Sequence, residues 1–113
     1  MRFESTRGEV APAPLAEALL SGMAGDGGLW VPDALTPLAD ALLSRLRGMD
    51  PMDAATQVAR HLFADDLPVA EIDALVARAL DFPIPLAPVD DRTAALELFW
   101  GPTLAFKDVG ARF

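Results

Sequence analysis

Residues 93–113 read TAALELFWGPTLAFKDVGARF. From Thr93 to Phe99 the chain is apolar almost without a break over the length of one strand, the pattern of a strand covered on both faces, as in a parallel sheet. Gly101-Pro102-Thr103 then turns the chain, and Phe106 onward begins a helix-like segment. Lys107 thus falls at a strand-to-helix junction, where α/β proteins place ligands. A parallel sheet needs partner strands, and no apolar run of comparable strength occurs elsewhere in the 113 residues. That mismatch, together with a helix that starts near Lys107 and reaches Phe113 without a cap, leads to the expectation of a fragment of a longer protein.

Upstream, DFPIPLAPVDD (residues 81–91) carries Pro83, Pro85 and Pro88, which remove backbone donors and exclude a regular helix, so an irregular connector is expected. Three helices precede it, each with a proline near its start and apolar residues three or four apart. The first has Thr36 as N-cap, Pro37 at its first position, a stripe of Leu38, Leu42, Leu43 and Leu46, and Gly48 after its end. The second has Asp50 as cap, Pro51, and Met52, Ala55, Val58, Ala59 and Leu62. The third, from Pro68, carries Val69, Ile72, Leu75, Val76 and Leu80. Nearer the start, RFESTR is read as a short strand, with a turn at Gly8. Residues 14–25 read as a helix from Pro14 to Gly25, and Asp26-Gly27-Gly28 as a turn into an extended segment, Leu29 to Val31, that Pro32 ends.

One domain is the ceiling for 113 residues, and 52% apolar with 23% charged residues is the composition of a folded soluble chain. A formal charge of −8 and a pI near 4.3 repel phosphate backbones and anionic lipid, so neither nucleic acid nor membrane is an expected partner. Zero cysteines and one histidine, His61, leave no thiolate or histidine-rich metal centre. No signal peptide or spanning apolar run is present, and the protein is read as cytoplasmic. The pattern does not distinguish a monomer from a dimer.

Lys107 is the residue whose setting looks chemical. It is suited to bind an anion or form a Schiff base, and a surface lysine on a helix fits the same spacing. A nucleophilic lysine must be desolvated or placed near positive potential to be neutral at working pH. Ala105, Phe106 and a helix N-terminus act in that direction and Asp108 against it. Arg7 reads as a salt-bridged surface residue, His61 as a partly exposed helix residue, and the glycines at 27 and 28 as turn formers rather than an anion nest.

ELFWGPTLAFKD, residues 97–108, resembles the signature segment of the threonine synthase family. STRGE (residues 5–9) and DGGLWVP (residues 26–32) resemble two further blocks of that family in the same order. The resemblance implies an enzyme that uses pyridoxal 5′-phosphate to convert O-phospho-L-homoserine and water to L-threonine and phosphate. It implies the α/β, two-domain fold of the tryptophan synthase β-subunit group (fold type II), of which these residues form a mainly helical α+β portion. Residues 1–93 are then an N-terminal, mainly helical domain, and residues 94–113 the strand, turn and helix start of a catalytic domain. Carried over, Lys107 binds the cofactor covalently and acts as acid and base at the substrate's α and β carbons, Phe106 lies beside the cofactor, and Thr103 contacts cofactor or substrate. Asp108 is expected only to favour the helix N-terminus. Trp100 stands where the family commonly has histidine, and an indole cannot shuttle protons at neutral pH. No glycine-rich phosphate loop is visible, so the isolated residues are expected to be inactive. Two alternatives stand beside this reading: a related phospho-lyase with another substrate, and a non-catalytic helical interaction module.

Overall fold

Asp50 and Pro51 start the longest helix as their order requires. In the computed structural model, which describes residues 1–113, the Asp50 side chain accepts a hydrogen bond from the Met52 N–H at 2.9 Å and Pro51 opens a helix, Pro51–Phe63. In chain order the elements are β1 (Arg2–Ser5), β2 (Ala13–Pro14), α1 (Leu15–Ser21), β3 (Trp30–Pro32), α2 (Asp40–Leu46), α3 (Pro51–Phe63), α4 (Val69–Ala79), β4 (Leu86–Pro88), β5 (Ala94–Leu96) and α5 (Asp108–Ala111).

The core lies between α3 and α4. Ala59, Ile72 and Val76 are buried at its centre, and Met52, Ala55, Phe63, Leu67 and Leu80 pack around them. Small Ala59 lets the two helices approach, and their apolar stripes meet as the helical period requires. On the flank, Arg60 clamps Asp73 through two hydrogen bonds, Nε to Oδ1 at 2.7 Å and Nη2 to Oδ2.

The N-terminal residues form a three-stranded antiparallel sheet in the order β2-β1-β3. Phe3 lies opposite Ala13 on one side and Pro32 on the other, so the first strand is the central one. Both flanking strands place a proline in the ladder at a sheet edge, where the missing N–H does no harm.

Several expectations change. The helix after Pro14 stops at Ser21, because Gly22 takes a positive φ of 69°; Gly25 lies beyond it. The strand near Leu29 is Trp30–Pro32; Leu29 lies outside it, forming an isolated bridge to Met23 and exchanging hydrogen bonds with Thr6. Thr36 and Pro37 do not start α2, which begins at Asp40 after an extended Ala39 with ψ of 145°. A residue before proline is pushed toward extended backbone, and the Thr36 carbonyl is instead bound to His61 Nε2 at 2.8 Å. The proline-rich connector is not wholly irregular, since β4 lies within it and pairs antiparallel with β5, Leu86 opposite Leu96 and Pro88 opposite Ala94. The expected parallel strand is therefore half of an antiparallel hairpin, and its residues are exposed.

Only 12 of the 113 residues are buried. The radius of gyration is 16.4 Å, against about 13 Å for a self-contained domain of this length. Apolar side chains such as Leu20, 90% exposed, and Leu86, 65% exposed, stand open to solvent.

Candidate functional site

The lysine segment is pinned at both ends. Behind Lys107, Asp108 is buried, and its carboxylate accepts the Thr103 N–H at Oδ2 (2.9 Å) and the Thr103 hydroxyl at Oδ1 (2.8 Å). Gly101 is packed so closely against it that a Cβ there would lie 2.6 Å from the Asp108 Cβ and 2.5 Å from Oδ2. Inside this turn the Leu104 N–H donates to the Gly101 carbonyl at 3.0 Å and the Asp108 N–H to the Ala105 carbonyl at 3.0 Å. Leu104 adopts a φ of 58°, a conformation that side chains with a Cβ take only when their surroundings impose it.

Ahead of Lys107, Arg112 binds the Asp81 carboxylate at the end of α4 and donates to the Arg78 carbonyl at 3.0 Å. Its guanidinium lies over the Phe82 ring, 5.7 Å from the centroid. The Phe113 and Phe63 rings are 5.5 Å apart. The hydrogen bond that Arg112 donates to Asp81, aided by the charges of Asp81 and Asp108, raises the Arg112 pKa above its ordinary value. The lysine-bearing turn is thereby attached to the helical core.

Lys107 itself is exposed at the N-cap position of α5 and makes no hydrogen bond or ion pair with any side chain. The neighbours expected to desolvate it do not cover it, since Phe106 is 67% exposed. An accessible primary amine without a polar partner leaves Lys107 sterically free to condense with an aldehyde such as that of pyridoxal phosphate. Thr103 lies within the same turn, but its hydroxyl proton is given to Asp108, which leaves oxygen lone pairs for any further contact. The indole N–H of Trp100 is likewise committed, to Glu97 Oε2 at 2.8 Å.

The other two blocks meet elsewhere. Ser5 is buried, and its hydroxyl donates to Asp26 Oδ1 at 2.7 Å. The N–H groups of Gly28 and Glu9 donate to the same carboxylate at 2.9 and 3.1 Å. The Ser5 bond is the main cause that holds the Asp26 pKa below its ordinary value. Gly28 has no room for a side chain, as a Cβ would stand 2.1 Å from Ser5 Oγ. Arg7 is not salt-bridged: it donates to the Asp26 carbonyl at 2.8 Å. This is a polar staple between β1 and the turn before β3. Sequence reasoning missed Asp108 and Asp26 as the organising carboxylates; acids set among turn formers, Gly101 to Thr103 and Gly27-Gly28, were the available signal.

An apolar groove of about 570 Å³ lies between the start of α3 and the β4–β5 hairpin and is lined by residues including Met52, Leu80 and Phe82. Lys107 does not line it. No helix is long and apolar enough to cross a membrane.

Comparison with known proteins places these features. The sequence model of the family described as "Threonine synthase N terminus" matches residues 2–80. The chain is 38% identical to the threonine synthase of Haemophilus influenzae, over 87% of this chain and 23% of the relative. It is 37% identical to that of Corynebacterium glutamicum, over 96% of this chain and 25% of the relative. Among solved structures, the pyridoxal-phosphate-bound threonine synthase of Brucella melitensis superposes with a TM-score of 0.87 at 37% identity, and the Escherichia coli threonine synthase with 0.86 at 28%, each over 96% of this chain and 25% of the other. The chain spans about a quarter of the length of the relatives it matches. Its mixture of helices and short strands is the fold of the corresponding part of these enzymes.

Proposed function

The chain belongs to the threonine synthase family, and on that premise we propose that it is the N-terminal portion of an enzyme converting O-phospho-L-homoserine and water to L-threonine and phosphate. The reaction class is a carbon–oxygen lyase acting on a phosphate, and the cofactor is pyridoxal 5′-phosphate. Residues 1–93 form the mainly helical domain of that enzyme, and residues 94–113 contribute the lysine-bearing segment to its catalytic domain. A cytoplasmic location is part of this reading, and a chain without cysteine is compatible with it.

One observation supports this reading most directly. Lys107 is an exposed amine without a polar partner, on a turn held from both sides by Asp108 and Arg112. When bound, pyridoxal phosphate supplies an electron sink for charge at the substrate's α and β carbons. Lys107 would hold the cofactor through its Nζ and would take and return protons at those carbons. Phe106, exposed in this chain, would offer an apolar face to the bound cofactor. Thr103 contributes its hydroxyl oxygen as an acceptor, because its proton is bound by Asp108. The groups that hold the cofactor phosphate and pyridine nitrogen come from outside residues 1–113.

The test is an assay of the complete protein with O-phospho-L-homoserine, measuring threonine and phosphate. Lys107→Ala is expected to abolish both products and the visible absorbance of the bound cofactor. Undiminished threonine formation by that variant would refute the assignment.

A second reading rests on Trp100. Its N–H is engaged by Glu97, so the position supplies neither a proton shuttle nor a free donor. A related phospho-lyase that releases phosphate without correct water addition fits that feature, and it would yield 2-oxobutyrate in the same assay.

A further inference from the structure

Asp108 follows the lysine directly, yet its side chain turns back into the fold instead of toward solvent. It is 5% exposed, and both carboxylate oxygens are occupied by Thr103, one by the main chain and one by the hydroxyl. Gly101 forms the wall behind it, with no space for even a methyl group. Three residues distant in role, a glycine, a threonine and an aspartate, thereby close residues 101–108 into one ring. Lys107 is carried on that ring beside its closing residue. A carboxylate that only favoured a helix dipole would be exposed at the helix end; α5 has four residues and offers little dipole to favour.

We propose that Asp108 is a positioning residue for Lys107: its buried carboxylate closes the Gly101–Asp108 ring and so fixes where the Lys107 amine is presented. The inference rests on the cofactor role of Lys107 proposed above. It also accounts for Gly101, which is required as the wall against which the clamp closes. Leu104, with its positive φ of 58°, lies within the same ring. Thr103 serves the cofactor site through this ring first, since both of its donors point at Asp108 and neither at a ligand.

Two variants perturb the clamp from opposite sides. Asp108→Asn keeps the shape but sets an amide N–H₂ against one of the two Thr103 donors. Gly101→Ala leaves both polar partners intact and pushes a methyl group into the carboxylate. The experiment uses the full-length protein freed of cofactor. Pyridoxal phosphate is added; the Lys107 amine condenses with its aldehyde with loss of water, and borohydride delivers hydride to the resulting C=N bond. The rate of labelling is read on the Lys107 peptide by mass spectrometry, per folded molecule as fixed by circular dichroism. Both variants are expected to slow labelling and to lower kcat by about tenfold to a hundredfold, the effect of an ångström-scale misplacement, with KM changed less than kcat. Parental labelling rates per folded molecule in both variants would overturn the proposal, as would kcat losses accounted for entirely by the unfolded fraction. Lys107→Ala separates the two levels of inference. If it loses the label at this peptide and all threonine formation while the clamp variants behave as the parent, only the positioning role fails. If it still forms threonine, the cofactor reading fails and the positioning role with it.

Discussion

Ser5 and Asp26, 21 residues apart in sequence, share a 2.7 Å hydrogen bond in which the serine hydroxyl donates to Oδ1. The same carboxylate also accepts main-chain N–H groups from Glu9 and Gly28, so one acid joins the turn after β1 to the turn before β3. Two sequence blocks that look independent are one structural unit.

Gly28→Ala tests that unit. The new methyl would meet Ser5 Oγ at 2.1 Å and the Arg7 main-chain nitrogen at 3.1 Å, and only the first of these is a side chain able to move. Overpacking of this kind costs about 1–3 kcal/mol. The urea midpoint of the variant is expected to fall with an unchanged slope, and an unaltered midpoint would contradict the close packing of that turn.

Acid should unfold the chain through its carboxylates. The folded pKa values of Asp26, Asp73, Asp81 and Asp90 all lie below the ordinary 3.8, held there chiefly by Ser5, Arg60, Arg112 and the Arg92 N–H in turn. A depressed folded value contributes stability that is fully present above the unfolded pKa and is lost as pH falls through the folded one. Urea midpoints are therefore expected to be level above about pH 5 and to decline below about pH 4. Asp73→Asn should lower the plateau and flatten the decline. Midpoints that rise between pH 5 and pH 3 would contradict the sign.

Ile72 is fully enclosed between α3 and α4. Ile72→Ala removes three carbons from the centre of a small core, and a loss of about 2–5 kcal/mol is expected. Chemical denaturation measures it. A loss below about 1 kcal/mol would mean that the two helices collapse onto the space.

Residues 1–113 produced alone and mixed with pyridoxal phosphate are expected to show no stable visible band that depends on Lys107. Absorbance spectra of the parent chain and of Lys107→Ala, recorded after removal of free cofactor, make the comparison. A persistent band lost only in the variant would show that this segment binds the cofactor unaided.

Trp100→His, in the complete protein, replaces a donor engaged by Glu97 with a group able to titrate near neutral pH. Cofactor loading should be unchanged. The ratio of threonine to 2-oxobutyrate is expected to shift by roughly the lower end of general acid–base effects, on the order of 10²-fold or less. An unchanged ratio would remove Trp100 from the list of specificity determinants.

What the sequence revealed depended on how local each cause was. Asp50-Pro51 announced α3 because cap, proline and stripe act within one turn, and Ile72 and Val76 were recognisable as core by period alone. Thr36-Pro37 carried the same local signal and misled, because a contact 25 residues away, His61 to the Thr36 carbonyl, draws that segment into extended backbone. The β4–β5 pairing was hidden by prolines that rule out a helix but leave an edge strand allowed. Lys107 was singled out through its surrounding motif. The burial of Asp108 was not, because it depends on the ring closing behind it, and no pairwise spacing rule describes that closure.

The central place of β1 in its sheet also sets an order of events. Both neighbours of β1 come from within the first 32 residues, so every pairing in that sheet is made inside the first part of the chain, and contacts near in sequence form sooner than distant ones. During synthesis, which releases the N-terminal portion first, the sheet has all its strands long before residue 107 is added. All the residues of the serine–aspartate staple are then present while the lysine turn is still unmade, and Lys107 joins a scaffold whose parts are already laid down.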